Sequence, residues 1–201
     1  MSMFGKKMKG RIKVLSVFLT LALAFSMAGI FGQAPVLAAT TQFDLIIDGG
    51  TPITITASSI NSSLDYKLVH YSGRNNAGTQ AYYSTRGVDL EDLIAPYVPS
   101  GEDLDVATTE IIITSDDATT KTFAGDDLFG TTRYYYPSTY PVDPRDPVEA
   151  LIATSDAAFI TTNPADFGSG DALRFYYGQT TDAEKNRPNW VKTVETIEVN
   201  F

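Results

Sequence analysis

The sequence has 201 residues, with 15 lysines and arginines against 24 aspartates and glutamates, one histidine and no cysteine. Without cysteine the chain cannot form a disulfide scaffold, a thiolate nucleophile, an iron–sulfur site or a cysteine-ligated metal centre. A single histidine excludes a metal site built on two imidazoles. The composition, 43% hydrophobic and 19% charged, is that of a globular protein rather than a disordered one.

Residues 1–39 have the three parts of a secretory signal peptide. Five basic residues and no acid lie in residues 1–13, residues 14–31 are almost wholly apolar, and the segment ends on Val-Leu-Ala-Ala. We therefore expect cleavage after Ala38 or Ala39. The alternative is an uncleaved anchor, because the apolar stretch just reaches membrane-spanning length.

Residues 40–201 are then expected to form a single domain, secreted or held at the cell surface. No second apolar stretch follows, so we expect no membrane span after signal cleavage. Removal of residues 1–39 takes away five basic residues and no acids, which leaves 10 basic against 24 acidic side chains and a formal charge of −14. Such a charge repels phosphate backbones, and we expect no nucleic-acid partner.

The first half of this domain is predicted to be strands with two short helices. Alternating Ile and Thr after the Gly49-Gly50 pair predict a hairpin, with glycines where a positive φ is needed. In chain order the predicted elements are a hairpin of 43–48 and 51–57, a helix or turn at 58–64, a strand at 66–72, an irregular loop at 73–78, and a helix at 89–94 that stops at Pro96.

The second half is predicted to be mostly strand. Residues 110–114 contain three consecutive isoleucines, which is typical of a buried strand, and 119–123 can pair with them. The remaining elements are a helical turn at 125–129, an aromatic strand at 133–136, a proline-rich loop at 137–147, strands at 148–154 and 172–177, and a half-exposed final strand at 194–199. The pattern indicates an α+β fold.

Three segments carry a family resemblance. They are residues 83–94 (YSTRGVDLEDLI), 172–178 (ALRFYYG) and 189–199 (NWVKTVETIEV). In this order they resemble the R-G-V, P-L-R-L and closing W-V-K motifs of the molybdopterin-binding domain of the sulfite oxidase family. The resemblance implies an α+β fold of mixed β-sheets around a partly barrel-like core, with short helices.

The chain departs from that family where the cofactor chemistry is concerned. The resemblance places the family's molybdenum-ligating cysteine on Tyr71 or Ser72, and neither side chain supplies a soft thiolate. Two further landmarks, at 115–118 and 176–180, also differ. We therefore expect no catalytic residue, no metal ligand and no cofactor, although the resemblance itself implies molybdopterin.

Any binding function that remains is expected in the former cofactor cleft. The resemblance brings His70, Tyr71, Arg74 and Arg86 together there, and the two arginines predict a site for a small anion. The alternative is that both arginines pair with nearby acids such as Asp89. A hydrolase built on His70 and Ser72 is disfavoured, because the chain lacks a G-x-S-x-G elbow. Calcium binding is disfavoured because no acidic cluster has the D-x-D-x-D-G spacing.

Three functions of different classes remain open. The first is a non-catalytic exported domain that binds a ligand, or a cell-wall or surface component, or serves as a structural module. The second is a molybdopterin-dependent oxidoreductase, or a subunit of one, with a non-cysteine metal ligand. The third is a β-rich carbohydrate-binding module, since the many tyrosines can present rings to sugars.

The signal peptide can be tested directly. The intact mass of the protein recovered outside the cell is expected to correspond to a chain that begins at Ala39 or Thr40. Recovery of the full-length chain from the cytosol would contradict export.

Overall fold

Two large β-sheets, a two-stranded sheet and a few short helices make up the part of the chain that the structure describes. The computed structural model describes residues 41–137, 146–168 and 172–201, which all belong to the unit Ala39–Phe201. The expected signal peptide lies outside these residues, as does the 138–145 part of the expected proline-rich loop.

Strands outnumber helices in the described residues. In chain order they are β1 (Gln42–Ile47), β2 (Ile53–Thr56), α1 (Ala57–Asn61), β3 (Lys67–Arg74), β4 (Gln80–Asp89), α2 (Leu90–Ile94), β5 (Glu110–Ser115), β6 (Thr120–Ala124), β7 (Tyr134–Tyr135), β8 (Asp146–Pro147), β9 (Leu151–Ala157), β10 (Arg174–Tyr176) and β11 (Val194–Asn200). Single turns of 3₁₀ or π helix lie at Ala95–Tyr97, Asp126–Gly130, Pro164–Asp166 and Arg187–Asn189.

A mixed five-stranded sheet has the order β2-β1-β11-β5-β6. The last strand, β11, lies at its centre, parallel to β1 and antiparallel to β5. Its Val194, Ile197 and Val199 are fully buried while Glu195 is exposed, so the predicted half-exposed final strand is confirmed.

The two hairpins of this sheet confirm the predicted pairings, with two corrections. In the β1–β2 turn the positive φ values belong to Asp48 and Gly49, not to both glycines, and Gly50 N–H donates to the Ile47 carbonyl at 2.8 Å. In β5, Ile111 and Ile113 are fully buried but Ile112 is only partly so. Successive side chains of a strand point to opposite faces, and one face of β5 is less covered.

A second, antiparallel sheet has the order β10-β9-β4-β3. Strand β3 extends to Arg74, so the expected irregular loop at 73–78 is wrong for its first two residues. The turn instead spans 75–79, where Gly78 adopts φ +82° and the Asn75 side chain accepts the Thr79 N–H at 2.8 Å. The predicted strand at 148–154 is shifted, since β9 spans Leu151–Ala157.

The predicted helix α2 is confirmed and buries Leu90 and Ile94. Its axis continues into the 3₁₀ turn Ala95–Tyr97 rather than ending before Pro96, because proline is tolerated in the first turn of a helix. Strand β7 pairs with β8, so the described end of the expected proline-rich loop, Asp146–Pro147, is a short strand.

The main hydrophobic core contains side chains from both large sheets, among them Leu45, Ile113, Ile152, Phe175 and Ile197. The opposite face of the second sheet carries a smaller cluster. Mixed sheets with few short helices define an α+β fold. Within the described residues, none of the helices has both the length and the apolar character needed to span a membrane.

Gly87 lies at the bulge of β4, where the neighbouring strand leaves no room for a side chain. A Cβ on Gly87 would lie 2.0 Å from the Ile152 carbonyl oxygen and 2.8 Å from the Ala153 Cα. Gly87→Ala is therefore expected to lower the free energy of unfolding by about 3 kcal/mol, because the neighbouring backbone must move. Urea unfolding measures this.

Gly168→Ala is the matched control, because nothing lies within 4 Å of the added Cβ. Equal stabilities for the two variants would contradict the close approach of β4 and β9.

Candidate functional site

The four expected site residues all lie on β3 and β4 but do not share one cleft. The strand register pairs Leu68 with Arg86 and Arg74 with Gln80, which separates the two arginines by six positions, or about 20 Å. Tyr71 faces the side of the sheet opposite to His70 and Arg74. The structure thus spreads the four residues along the strand pair and over both faces of the sheet, and ligand binding by them stays a prediction.

Each arginine is held by protein groups rather than by Asp89. Arg74 donates from Nε to the Asp182 carbonyl and from Nη1 to the Gly78 carbonyl at 3.1 Å. The Arg86 guanidinium lies over the Phe167 ring, 4.4 Å from its centroid. Asp89 forms an ion pair with Lys67 instead. Neither arginine lines the two pockets described below.

Tyr71, one of the two residues on which the sequence resemblance places a cysteine, is fully buried. Its hydroxyl donates to the Glu149 carbonyl, and its ring stacks on Tyr176 with a centroid distance of 5.6 Å. Burial, helped by the nearby carboxylates of Asp89 and Glu149, raises the pKa of this phenol well above its usual value. The side chain is a packed, neutral core group.

Ser72, the other residue at that position, is also fully buried. Its Oγ donates to the Gln179 side-chain oxygen at 2.8 Å and accepts the Tyr136 N–H at 2.8 Å. These bonds connect β3 to the loops that contain Gln179 and Tyr136. The hydroxyl is used for structure.

His70 forms a hydrogen bond with Ser84, not with Ser72. The distance between His70 Nδ1 and Ser84 Oγ is 2.9 Å, and the same Oγ accepts the Thr161 N–H at 2.8 Å. Because Ser84 is fully buried, it cannot attack a substrate from solvent. The pair is a structural contact across β3 and β4, not a nucleophile and its base.

A cavity of about 340 Å³ lies beside His70, and its charged lining residues are Lys67, Asp146 and Glu149. Burial lowers the pKa of the imidazole, and the Asp146 carboxylate opposes that shift. The cavity therefore combines one cation, two acids and a neutral imidazole. This arrangement has no excess of positive charge for an anion.

A different pocket, of about 210 Å³, does collect positive charge. It lies where β10 meets the segment before β11. Its lining contains three cations, one acid, four aromatic rings, of which those of Tyr83 and Trp190 are partly exposed, and small apolar groups. The residues are Tyr83, Asp156, Ala158, Arg174, Phe175, Tyr176, Arg187, Trp190, Val191 and Lys192. We call it the basic aromatic pocket.

Asp156, the acidic residue of the basic aromatic pocket, interacts with two other residues of the pocket. It accepts hydrogen bonds from Arg174 Nη1 at 2.7 Å and from the Tyr176 hydroxyl at 2.8 Å. Burial and the adjacent Asp156 carboxylate raise the pKa of Tyr176 far above its usual value, so this phenol stays protonated and donating. Asp156 thus neutralises Arg174 and fixes its position.

The other two cations have no such partner. Among the residues that the structure describes, neither Arg187 nor Lys192 forms an ion pair. The Arg187 guanidinium lies 5.9 Å from the centroid of the Tyr83 ring, and Lys192 is exposed. The pocket keeps an excess of two positive charges.

Gly73 on β3 allows the wall of this pocket to pack closely. A Cβ there would lie 2.5 Å from Arg187 Cγ and 2.7 Å from Trp190 Cζ2. The indole is fixed by a hydrogen bond from Nε1 to the Tyr177 carbonyl at 3.0 Å. The positions of Arg187 and Trp190 therefore depend on a residue without a side chain.

Each of the three segments that resemble the sulfite oxidase family contributes to the pocket. Residue Tyr83 comes from the first, Arg174 from the second, and Trp190 and Lys192 from the third. Sequence reasoning missed these as site residues although two of the cations lay in the quoted motifs. Arg187 lies in none of them, and no local pattern marks it.

Comparison with known proteins places the chain in no family. No family model matches it, and no curated protein does. Within the described residues there is also no group of three or more histidine and acidic side chains that could hold a metal ion.

The single histidine provides a pH test of this geometry. Because burial lowers its pKa in the folded state, the pKa of His70 measured by proton NMR titration is expected to lie below the usual value of 6.5. The stability that neutral His70 contributes is present above that value. It is lost as the pH falls through the lowered folded-state pKa.

Asp146→Asn is expected to lower the pKa of His70 further, because the Asp146 carboxylate favours the charged imidazole. Asp103→Asn, in a carboxylate that does not act on His70, is the control. A His70 pKa above 6.5, or no difference between the two variants, would contradict this account.

Proposed function

We propose that this chain is an exported, non-catalytic binding module that has a sulfite oxidase-like fold without the molybdenum chemistry. The main support for the proposal is the burial and hydrogen bonding of the two residues on which the resemblance places the cysteine. Tyr71 and Ser72 are both fully buried, and both hydroxyls are engaged in hydrogen bonds to other parts of the chain.

The residues present do not fit a molybdenum cofactor. A molybdenum ligand at this position must be a deprotonated donor that faces open space, and in the family it is a soft thiolate. Here a neutral phenol donates to a backbone carbonyl, and rings occupy the space around it. Tyr176 stacks on Tyr71, and Trp190 packs edge-on against it with a centroid distance of 6.5 Å. We derive no redox step.

Binding is favoured over a purely structural role by the basic aromatic pocket. Arg187 and Lys192 line the same pocket, and among the described residues neither forms an ion pair, although like charges repel. Such an arrangement is typical of sites that receive an anionic group. Because residues 1–39 are predicted to be a signal peptide, the ligand is expected outside the cell, in the wall or in another surface component.

A carbohydrate-binding module is the second candidate, since Tyr83 and Trp190 line the pocket. Stacking on a sugar requires an unoccupied ring face, and both of these rings already interact with other parts of the chain. Trp190 is bound through its indole N–H to Tyr177, and Tyr83 carries the Arg187 guanidinium near its face. We therefore place it second.

The proposal predicts that the secreted protein, purified from a molybdenum-replete host, carries no molybdenum. Elemental analysis measures the metal content per chain. A cysteine-containing enzyme of the sulfite oxidase family, purified from the same host, is the positive control. Near-stoichiometric molybdenum in this chain would overturn the proposal.

A further inference from the structure

We propose that the basic aromatic pocket binds a small molecule through an oxyanion, a carboxylate or a phosphate monoester, held between Arg187 and Lys192. This inference rests on the proposed binding function and names the ligand chemistry of its site. It moves the anion site away from Arg74 and Arg86, the residues that the sequence suggested.

The charge of the pocket is the first argument. Residues 40–201 carry a formal charge of −14, so acids are abundant and an arginine would ordinarily meet one. Yet the acid in the lining, Asp156, is bound to Arg174 and Tyr176. Arg187 and Lys192 keep their charge unpaired within the described residues. An anion placed between them gains attraction from both.

The fixed position of Arg187 is the second argument. Its aliphatic stem packs on Gly73, where no Cβ fits, and its guanidinium lies near the Tyr83 ring. A planar fork held in this way can offer two parallel N–H donors, the geometry that suits carboxylate and phosphate oxygens. Lys192 is exposed, and its ammonium group supplies a second positive charge on a long side chain.

The size and walls of the pocket define the rest of the ligand. A volume of about 210 Å³ corresponds to roughly seven water molecules at about 30 Å³ each. That is below the range of drug-sized sites and suits one compact ring or a short chain. Trp190, Val191 and Ala158 give the wall apolar surface against which such a body can pack.

The single tryptophan allows a direct binding experiment, because Trp190 lines the pocket. The secreted protein is titrated with three matched probes while tryptophan fluorescence is followed. These are glucuronate, glucose 6-phosphate and glucose, which share a ring and differ in the carboxylate, the phosphate or neither. A saturable change with at least one anion, and none with glucose, is expected. Comparison of the two anions identifies the preferred oxyanion.

Two variants test the assigned cations. Arg187→Gln and Lys192→Gln are each expected to weaken anion binding by about tenfold or more, because each removes a charge-assisted contact. Lys121→Gln on β6 removes the same charge outside the pocket and is the control. Lys192 is exposed, so its variant should keep the melting temperature of the parent even where Arg187→Gln does not.

Three results would overturn the inference. They are no response to either anion at millimolar concentration, an equal response to glucose, and equal affinities for the two pocket variants and Lys121→Gln. Molybdenum analysis of the same preparation separates the two proposals. Absent metal with no anion binding refutes only the ligand class, whereas bound molybdenum refutes the non-catalytic module.

Discussion

The packing of Trp190 against three tyrosines is the interaction on which the basic aromatic pocket and the adjoining face of the second sheet depend. The indole meets Tyr176 at 4.9 Å, Tyr83 at 5.5 Å and Tyr71 at 6.5 Å between ring centroids, each at a steep angle. Edge-to-face pairs of this kind add about 0.5–1.5 kcal/mol each beyond the burial of their area. They join β3, β4 and β10 to the segment that leads into β11, the central strand of the other sheet.

The same contact positions the charges of the pocket. Trp190 and Arg187 both lie against Gly73, and antiparallel hydrogen bonds between Phe175 and Val191, at 2.8 and 3.3 Å, attach this segment to β10. Arg187 and Lys192 therefore lie on a segment whose position is fixed by backbone hydrogen bonds and by the packing of Trp190. Holding like charges together costs free energy, and the aromatic packing and backbone bonds offset that cost.

The strands could be predicted from the sequence because their signal is local. Alternation of Ile and Thr located the β1–β2 hairpin, and the three consecutive isoleucines in residues 110–114 located β5. The site could not be predicted in this way. Arg74 and Arg86 are close in sequence, but strand geometry separates them by about 20 Å, whereas Arg187 reaches β4 only through the tertiary packing on Gly73. No periodic pattern encodes that contact.

Burial of Tyr71 also bears on whether an oxygen ligand could take the place of the cysteine that the sequence resemblance puts at this position. A phenol binds a metal strongly only as phenolate, and a buried phenol beside carboxylates resists losing its proton. Both effects raise the pKa of Tyr71. A metal would further have to displace the bond to the Glu149 carbonyl and separate the stacked rings of Tyr71 and Tyr176. The arrangement that stabilises this face thus opposes the chemistry that the thiolate supplies, while it leaves the pocket between Arg187 and Lys192 open to an anion.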